Sequence, residues 1–185
     1  TAPKGAGEAR PLTARGEMAR RLKAGRESTK PELALKMLKD ALARGIPAFC
    51  LLVDAWFTSP KFCLAVKELG LQIIGRLKRD HTLYYLGSVG YTLKQLYQAH
   101  QHQLVKAAEL GLALLRVPVR CGNGLKGAIV LTKGYKEPDL EARPGGKIKT
   151  EPSWTAFFTT ALTLTAIQVV QKYLGRWSIE VFFKE

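Results

Sequence analysis

Acidic residues are scarce in this sequence. The 185 residues include 15 aspartates and glutamates against 29 lysines and arginines, which gives a formal net charge of +14 at pH 7. The surplus favours a polyanionic partner, either nucleic acid or an acidic membrane surface. Charge alone favours nucleic acid only modestly, because a ribosomal-type basic protein, or a chain charged only for solubility, would show the same balance.

Cysteines and long apolar runs are also few. Cys50, Cys63 and Cys121 are odd in number and form no Cys-x2-Cys pair, so we expect buried free thiols in a reducing cytosol. No apolar stretch is long enough to span a membrane, and the N-terminus has no apolar signal core. The chain begins with Thr1 rather than Met, which suggests that a preceding part has been removed.

Hydrophobic residues make up 46% of the chain, which favours one folded domain or a fragment of a larger one. Capping and turn signals predict, in order, a helix at 31–44, a buried parallel strand at 48–53, a helix at 60–69 and a strand at 71–77. Leu33, Met37 and the pair Ala41 and Leu42 are expected to face the core. This alternation is an α/β pattern, in which Asp54 lies at the carboxyl end of its strand.

The pattern changes after residue 80. We predict strands at 82–86, 112–120 and 126–133, a hairpin turn at 121–124, a short helix at 93–100, a loop at 136–152 and a strand at 153–159. A capping box from Thr165 to Gln168 starts the last helix. The chain therefore divides into a basic arm or truncation remnant (1–30), a central α/β part (31–80), a β-rich insertion (81–152) and a last strand and helix (153–185).

The last helix has two faces. Tyr173, Arg176 and Glu180 are spaced so that they share one face. A separate apolar stripe is formed by Ile167, Val170, Leu174, Trp177 and Val181. We expect the helix to dock with the stripe and to present the three polar residues to a site.

Three segments carry a family resemblance. They are the Tyr-x2-Arg-x3-Glu spacing that ends at Glu180, the string Val-Asp-Ala-Trp-Phe-Thr-Ser-Pro at 53–60, and Leu-Gln-Ile-Ile-Gly-Arg-Leu-Lys at 71–78. Together they resemble the DDE transposases of bacterial insertion sequences, family four, over about residues 28–185. The resemblance implies a ribonuclease-H-like fold, here with its N-terminal strands missing.

The resemblance also implies a metal-dependent site. Asp54 matches the second catalytic Asp and Glu180 the catalytic Glu, and both would bind Mg²⁺ or Mn²⁺, which prefer oxygen ligands. Tyr173 and Arg176 match residues of the family that accompany the Glu and would contact DNA. Taken singly, Asp54 could instead cap its loop, and Glu180 could pair with a neighbouring cation on the helix surface.

Other residues offer DNA contacts. Arg76, Lys78 and Arg79 cluster at a strand end, where they would bind phosphate or simply form an exposed basic edge. Trp56 and Trp177 could stack on a base, but core packing is favoured for both.

The sequence departs from the family pattern in three ways, of which the missing first Asp and the missing Lys predict a fragment. No aspartate precedes Asp40, which lies inside the first predicted helix; Ala161 replaces a family Asp; and the family Lys would fall beyond Glu185. We therefore expect a piece of a cut-and-paste DNA transposase that is inactive alone, from a bacterial cytoplasm and nucleoid. Its partners would be transposon-end and target DNA, with a homodimer in the full-length parent. The alternatives are a non-catalytic basic nucleic-acid-binding remnant and a decayed gene product.

Overall fold

A computed structural model describes residues 29–134 and 154–176. The helices are α1 (Lys30–Ala43), α2 (Pro60–Glu68), α3 (Leu93–His100) and α4 (Ala166–Leu174), with 3₁₀ turns at Gln101–Gln103 and Ala108–Leu110. The strands are β1 (Cys50–Val53), β2 (Gln72–Arg76), β3 (Leu83–Leu86), β4 (Val89–Thr92), β5 (Val105–Ala107), β6 (Leu112–Cys121), β7 (Lys126–Gly134) and β8 (Trp154–Thr159).

The strands form one mixed sheet in the order β1-β2-β8-β7-β6-β3-β4, with β5 paired to β6. The pair β1–β2 is parallel, and the other pairs of the described residues are antiparallel. The sheet and its flanking helices confirm the predicted mixed α/β, ribonuclease-H-like class. The strands of the predicted insertion (81–152) belong to the same sheet as the strands before and after it. The division of the chain into four segments stays a prediction.

Local signals set most helix ends as predicted. Thr29 caps α1, where its N–H donates to the Glu32 carboxylate at 2.7 Å and its hydroxyl accepts from the Glu32 N–H at 3.4 Å. The Ser59 hydroxyl caps α2 by accepting from the Phe62 N–H at 3.4 Å. The predicted box at Thr165 opens α4 in the same way. These contacts satisfy N–H groups that a helix leaves unpaired at its start.

The predicted core face of α1 is largely wrong. Leu33 and Met37 are 50% and 64% exposed. The residues that pack on the core belong to an adjacent stripe, Ala34, Leu35, Leu38 and Leu42. Apolar residues nearly encircle this helix, so the 3.6-residue period allows two stripes, and packing on the sheet selects one of them.

Two apolar clusters lie on opposite faces of the sheet. Helices α1, α2 and α3 pack in the first cluster, together with Ile73 of β2 and Phe158 of β8. Helix α4 packs in the second cluster, with Ile74 of β2 and Phe157 of β8. Adjacent residues of a strand face opposite sides, so β2 and β8 contribute to both cores.

The cysteines are free thiols. Cys63 and Cys121 are buried as predicted, and Cys50 is half-buried. Burial raises the pKa of Cys63 to about 12 and that of Cys121 to about 11. These two thiols therefore stay protonated and serve as core residues.

None of the helices in the described part of the chain combines the length and the apolar content that crossing a bilayer requires.

Candidate active site and basic cleft

Asp54 follows the last residue of β1 directly, which confirms its predicted place at the carboxyl end of the strand. Its carboxylate is exposed and accepts a hydrogen bond from the Ala55 N–H at 2.6 Å. Its carbonyl accepts from the Phe57 N–H at 2.9 Å, which closes a tight turn. The carboxylate thus shapes its own loop while staying accessible to solvent and to a cation.

Thr58 fastens this loop to β2. Its hydroxyl donates to the Arg76 carbonyl at 2.9 Å and lies 3.2 Å from the Ala55 carbonyl. The methyl group of Thr58 presses on Gly75, where an added Cβ would lie only 2.2 Å from it. The loop that carries Asp54 is therefore held against the end of β2 by a contact that only glycine permits.

Asp54 and Arg76 lie at neighbouring strand ends. Strands β1 and β2 are parallel, so their carboxyl ends meet at one edge of the sheet. Leu52 and Ile74 both pack in the cluster beneath α4. Because side chains alternate along a strand, Arg76 at the end of β2 continues toward this face, and Asp54 follows β1 directly.

The three predicted basic residues come together at this edge. Arg76, Lys78 and Arg79 are all exposed, and they line a cleft of about 350 Å³ with Ala55 of the Asp54 loop. The clustering at a strand end is confirmed. The cleft places three cations beside the loop that carries the carboxylate, an arrangement suited to a phosphate backbone.

Aromatic rings hold two of these cations. The Lys78 ammonium lies 3.3 Å from the centre of the Trp56 ring. The Arg79 guanidinium lies 4.0 Å from the centre of the Trp154 ring and donates a hydrogen bond to the Trp154 carbonyl. On the core side, Trp154 stacks on Tyr97 with ring centres 4.3 Å apart and planes 3° apart. Sequence reasoning missed Trp154 and Tyr97, because neither carries a motif and they are far apart along the chain.

The predicted core packing of Trp56 is wrong. Its side chain is 74% exposed. The adjacent Phe57 turns inward instead and contacts Phe62 of α2 with ring centres 5.6 Å apart. The turn after β1 thus packs one aromatic residue partly into the core and leaves the other in solvent. Trp177 lies outside the described residues.

The predicted docking stripe of the last helix is confirmed at Ile167 and Val170, which pack in the second cluster, and is wrong at Leu174. Its remaining members, Trp177 and Val181, lie outside the described residues. Leu174, expected in the docking stripe, is 50% exposed. Tyr173, expected on a separate face, is 4% exposed and packs against Phe157 with ring centres 4.7 Å apart. Val169 and Val170 complete the buried face. As in α1, the sequence of this helix allows two overlapping apolar stripes. Burying the large phenol ring stabilises the orientation in which Val169, Val170 and Tyr173 face the core.

The end of α4 packs on β8 next to the end of β2. Phe157, which contacts Tyr173, is also the register partner of Arg76. The Arg176 guanidinium lies 5.5 Å from the centre of the Tyr173 ring. Tyr173 and Arg176 are thus near the strand end that carries Arg76, whereas Glu180 lies outside the described residues.

The exposed carboxylate of Asp54 is an oxygen ligand available to a divalent cation at this edge. Within residues 29–134 and 154–176 there is no cluster of three or more His, Cys, Asp or Glu residues that could hold a metal ion. An exposed carboxylate suits one coordination position of a hard cation such as Mg²⁺, which needs further oxygen ligands.

Fold and site together define a ribonuclease-H-like domain with a carboxylate beside a cationic cleft. The family profile described as DDE superfamily endonuclease matches residues 8–108, more than half of the chain, and the chain belongs to this family. The match includes Asp54 and the three basic residues and ends before α4. No curated protein matches the sequence.

Membership makes this a nuclease domain of the transposase kind, in a superfamily that acts on DNA and generally uses divalent metal ions.

Proposed function

We propose that this chain carries part of the active site of a DNA transposase of insertion-sequence family four, which hydrolyses phosphodiester bonds and transfers strands in cut-and-paste transposition. The supporting observation is the position of Asp54, at the carboxyl end of β1 and beside a cleft lined by Arg76, Lys78 and Arg79. The partners would be transposon-end and target DNA in a bacterial cytoplasm, with a homodimer in the full-length parent.

Asp54 and Glu180 would hold Mg²⁺ or Mn²⁺, which activates water and stabilises the leaving oxygen when bound. The three cleft cations would bind the phosphates that flank the scissile bond. Arg176 would hold a phosphate with two hydrogen bonds, backed by the ring of Tyr173. A direct contact of Tyr173 with DNA also stays a prediction, and because its hydroxyl is buried here, the contact would require the side chain to move.

Metal binding at Asp54 tests this proposal without requiring turnover. With Fe²⁺ and ascorbate, we expect oxidative cleavage of the backbone beside Asp54, suppressed by excess Mg²⁺ or Mn²⁺. Asp54→Asn should remove this cleavage and weaken Mn²⁺ binding by roughly tenfold or more, because a ligand is lost. The measurements are mass spectrometry of the fragments and titration calorimetry with Mn²⁺.

Asp40→Asn is the matched control, because Asp40 is an exposed carboxylate on α1. It should leave the cleavage pattern and Mn²⁺ affinity unchanged. Cleavage beside residue 54 that persists in Asp54→Asn would refute the metal site.

We also expect the chain alone to show no strand transfer with transposon-end DNA and Mn²⁺. The sequence has no aspartate before Asp40, and Asp40 lies in α1 rather than at a strand end. We therefore propose that one of the paired aspartates that such chemistry uses has no counterpart in this sequence. Gel analysis of labelled DNA checks this, and strand transfer abolished by Asp54→Ala would contradict it.

The alternative is a non-catalytic nucleic-acid-binding remnant, which the cationic cleft favours. It predicts binding that weakens steeply with salt and needs no divalent ion. If DNA binding has these properties and the Fe²⁺ experiment gives no cleavage beside Asp54, the alternative replaces the transposase site.

A further inference from the structure

The exposed indole of Trp56 is the least explained feature of the site. Its side chain is 74% exposed, although it lies two residues after Asp54 in a loop that is otherwise tightly held. The fold does not need the indole for its core, since Phe57 fills the place beside Phe62. A large aromatic side chain left in solvent beside a cationic cleft is typical of a binding surface.

Lys78 gives this surface its charge. Its ammonium lies 3.3 Å from the centre of the Trp56 ring, close enough for a cation–π interaction. The cation covers only a small part of the indole, which stays largely exposed. Trp56 and Lys78 therefore offer an apolar ring and a positive charge side by side, which match the base and the phosphate of one nucleotide.

Two hollows share Lys78. They are the basic cleft and a smaller pocket of about 180 Å³. Ala55, Leu77 and Lys78 line both hollows, and Trp56 lines the smaller one. The smaller pocket also presents Asp80, a hydrogen-bond acceptor.

We propose that Trp56 is a stacking platform for an unpaired nucleotide of the DNA strand that lies in the basic cleft, with Lys78 on its phosphate; this rests on the proposed function. Stacking requires a base with a free face. Inside a duplex both faces of each base are covered by neighbours, so the platform selects single-stranded or frayed ends.

Binding to labelled oligonucleotides in EDTA tests the platform in the full chain. Fluorescence anisotropy should show that Trp56→Ala weakens single-stranded DNA binding roughly tenfold, as expected for the loss of one stacked base. Trp56→Phe retains an aromatic face and should stay close to wild type. Affinity for a blunt duplex should change little in either variant.

Phe49→Ala is the matched control. Phe49 is also a large exposed aromatic residue, at 63%, but it precedes β1 at the opposite end of that strand. Its removal should leave single-stranded affinity unchanged. Equal losses in Phe49→Ala and Trp56→Ala would indicate a general effect of surface hydrophobicity and would overturn the proposal.

A direct readout of stacking is the fluorescence of 2-aminopurine placed in the single strand. The wild type and Trp56→Phe should quench it on binding, whereas Trp56→Ala should not. Unchanged affinity and quenching in Trp56→Ala would overturn the platform. These experiments contain no divalent ion, so their failure is distinct from a failure of the Asp54 metal site.

Discussion

Gly75→Ala is expected to lower the free energy of unfolding by about 3 kcal/mol and to disturb the Asp54 loop. The added Cβ would lie 2.2 Å from the Thr58 methyl and 2.6 Å from a Val53 methyl, distances that no rotamer adjustment of the Cβ itself can relieve. The side chains of Thr58 and Val53, or the strand and loop that carry them, must therefore shift. Urea unfolding measures the loss of stability, and Mn²⁺ titration should show weakened binding even where the protein is still folded.

Thr58→Ser separates the two effects of this contact. It removes the methyl that meets the new Cβ and keeps the hydroxyl that donates to the Arg76 carbonyl. The double variant should recover part of the lost stability, with the Val53 contact still present. If Gly75→Ala alone unfolds at the wild-type urea concentration, the close approach described for this loop is incorrect.

Gly127→Ala is expected to destabilise the centre of the sheet by a similar or larger amount, about 3 kcal/mol or more. Its Cβ would lie 2.4 Å from the ring of Phe158 and 2.8 Å from the Thr159 carbonyl oxygen. The ring is 1% exposed and the oxygen belongs to the backbone of β8, so neither can move cheaply. The urea midpoint should fall accordingly.

Gly122→Ala provides the control in the same hairpin. The nearest atom to its added Cβ is a Tyr85 ring carbon at 4.0 Å, an ordinary contact, so its stability should stay within about 0.5 kcal/mol of wild type. Phe158→Leu in the Gly127→Ala background should give back part of the loss, because it removes the ring that clashes. A Gly127→Ala protein as stable as the Gly122→Ala protein would contradict this account.

The sequence could predict the features that depend on neighbouring residues along the chain. Thr29 and Glu32 are three residues apart, and Asp54 ends an apolar run directly, so the helix start and the place of the carboxylate follow from neighbours along the chain. The Gly-Asn-Gly sequence at 122–124 similarly marks the hairpin turn between two long strands. Such features depend on backbone groups within one turn and need no knowledge of the fold.

Where a helix has two similar apolar stripes, the sequence could not predict which of them packs on the sheet. In α1, the stripe of Leu33 and Met37 is as regular as the one that is buried, and in α4 the inner stripe includes Tyr173 rather than Leu174. Only the sheet decides which stripe is covered. The short strand β4 was missed because Gly90 interrupts its apolar pattern, and β5 because it has three residues.

The cleft depends on contacts that no local pattern contains. Trp154 joins Tyr97 of α3 to Arg79 after β2, three residues from separate segments. The exposure of Trp56 also follows from its neighbour, since Phe57 is the one that turns toward α2. Tertiary packing, rather than composition, therefore determines which aromatic residues face the cleft.

Strand β2 contacts both α4 and the Asp54 loop, through two adjacent residues. Ile74 faces the helix that ends at Leu174, and the next residue, Gly75, touches the loop that begins at Asp54. A displacement of this one strand would shift both partners together and preserve their spacing. A shift of the helix alone or of the loop alone would instead alter that spacing. The relative position of helix and loop therefore depends on the five residues of β2, which both of them contact.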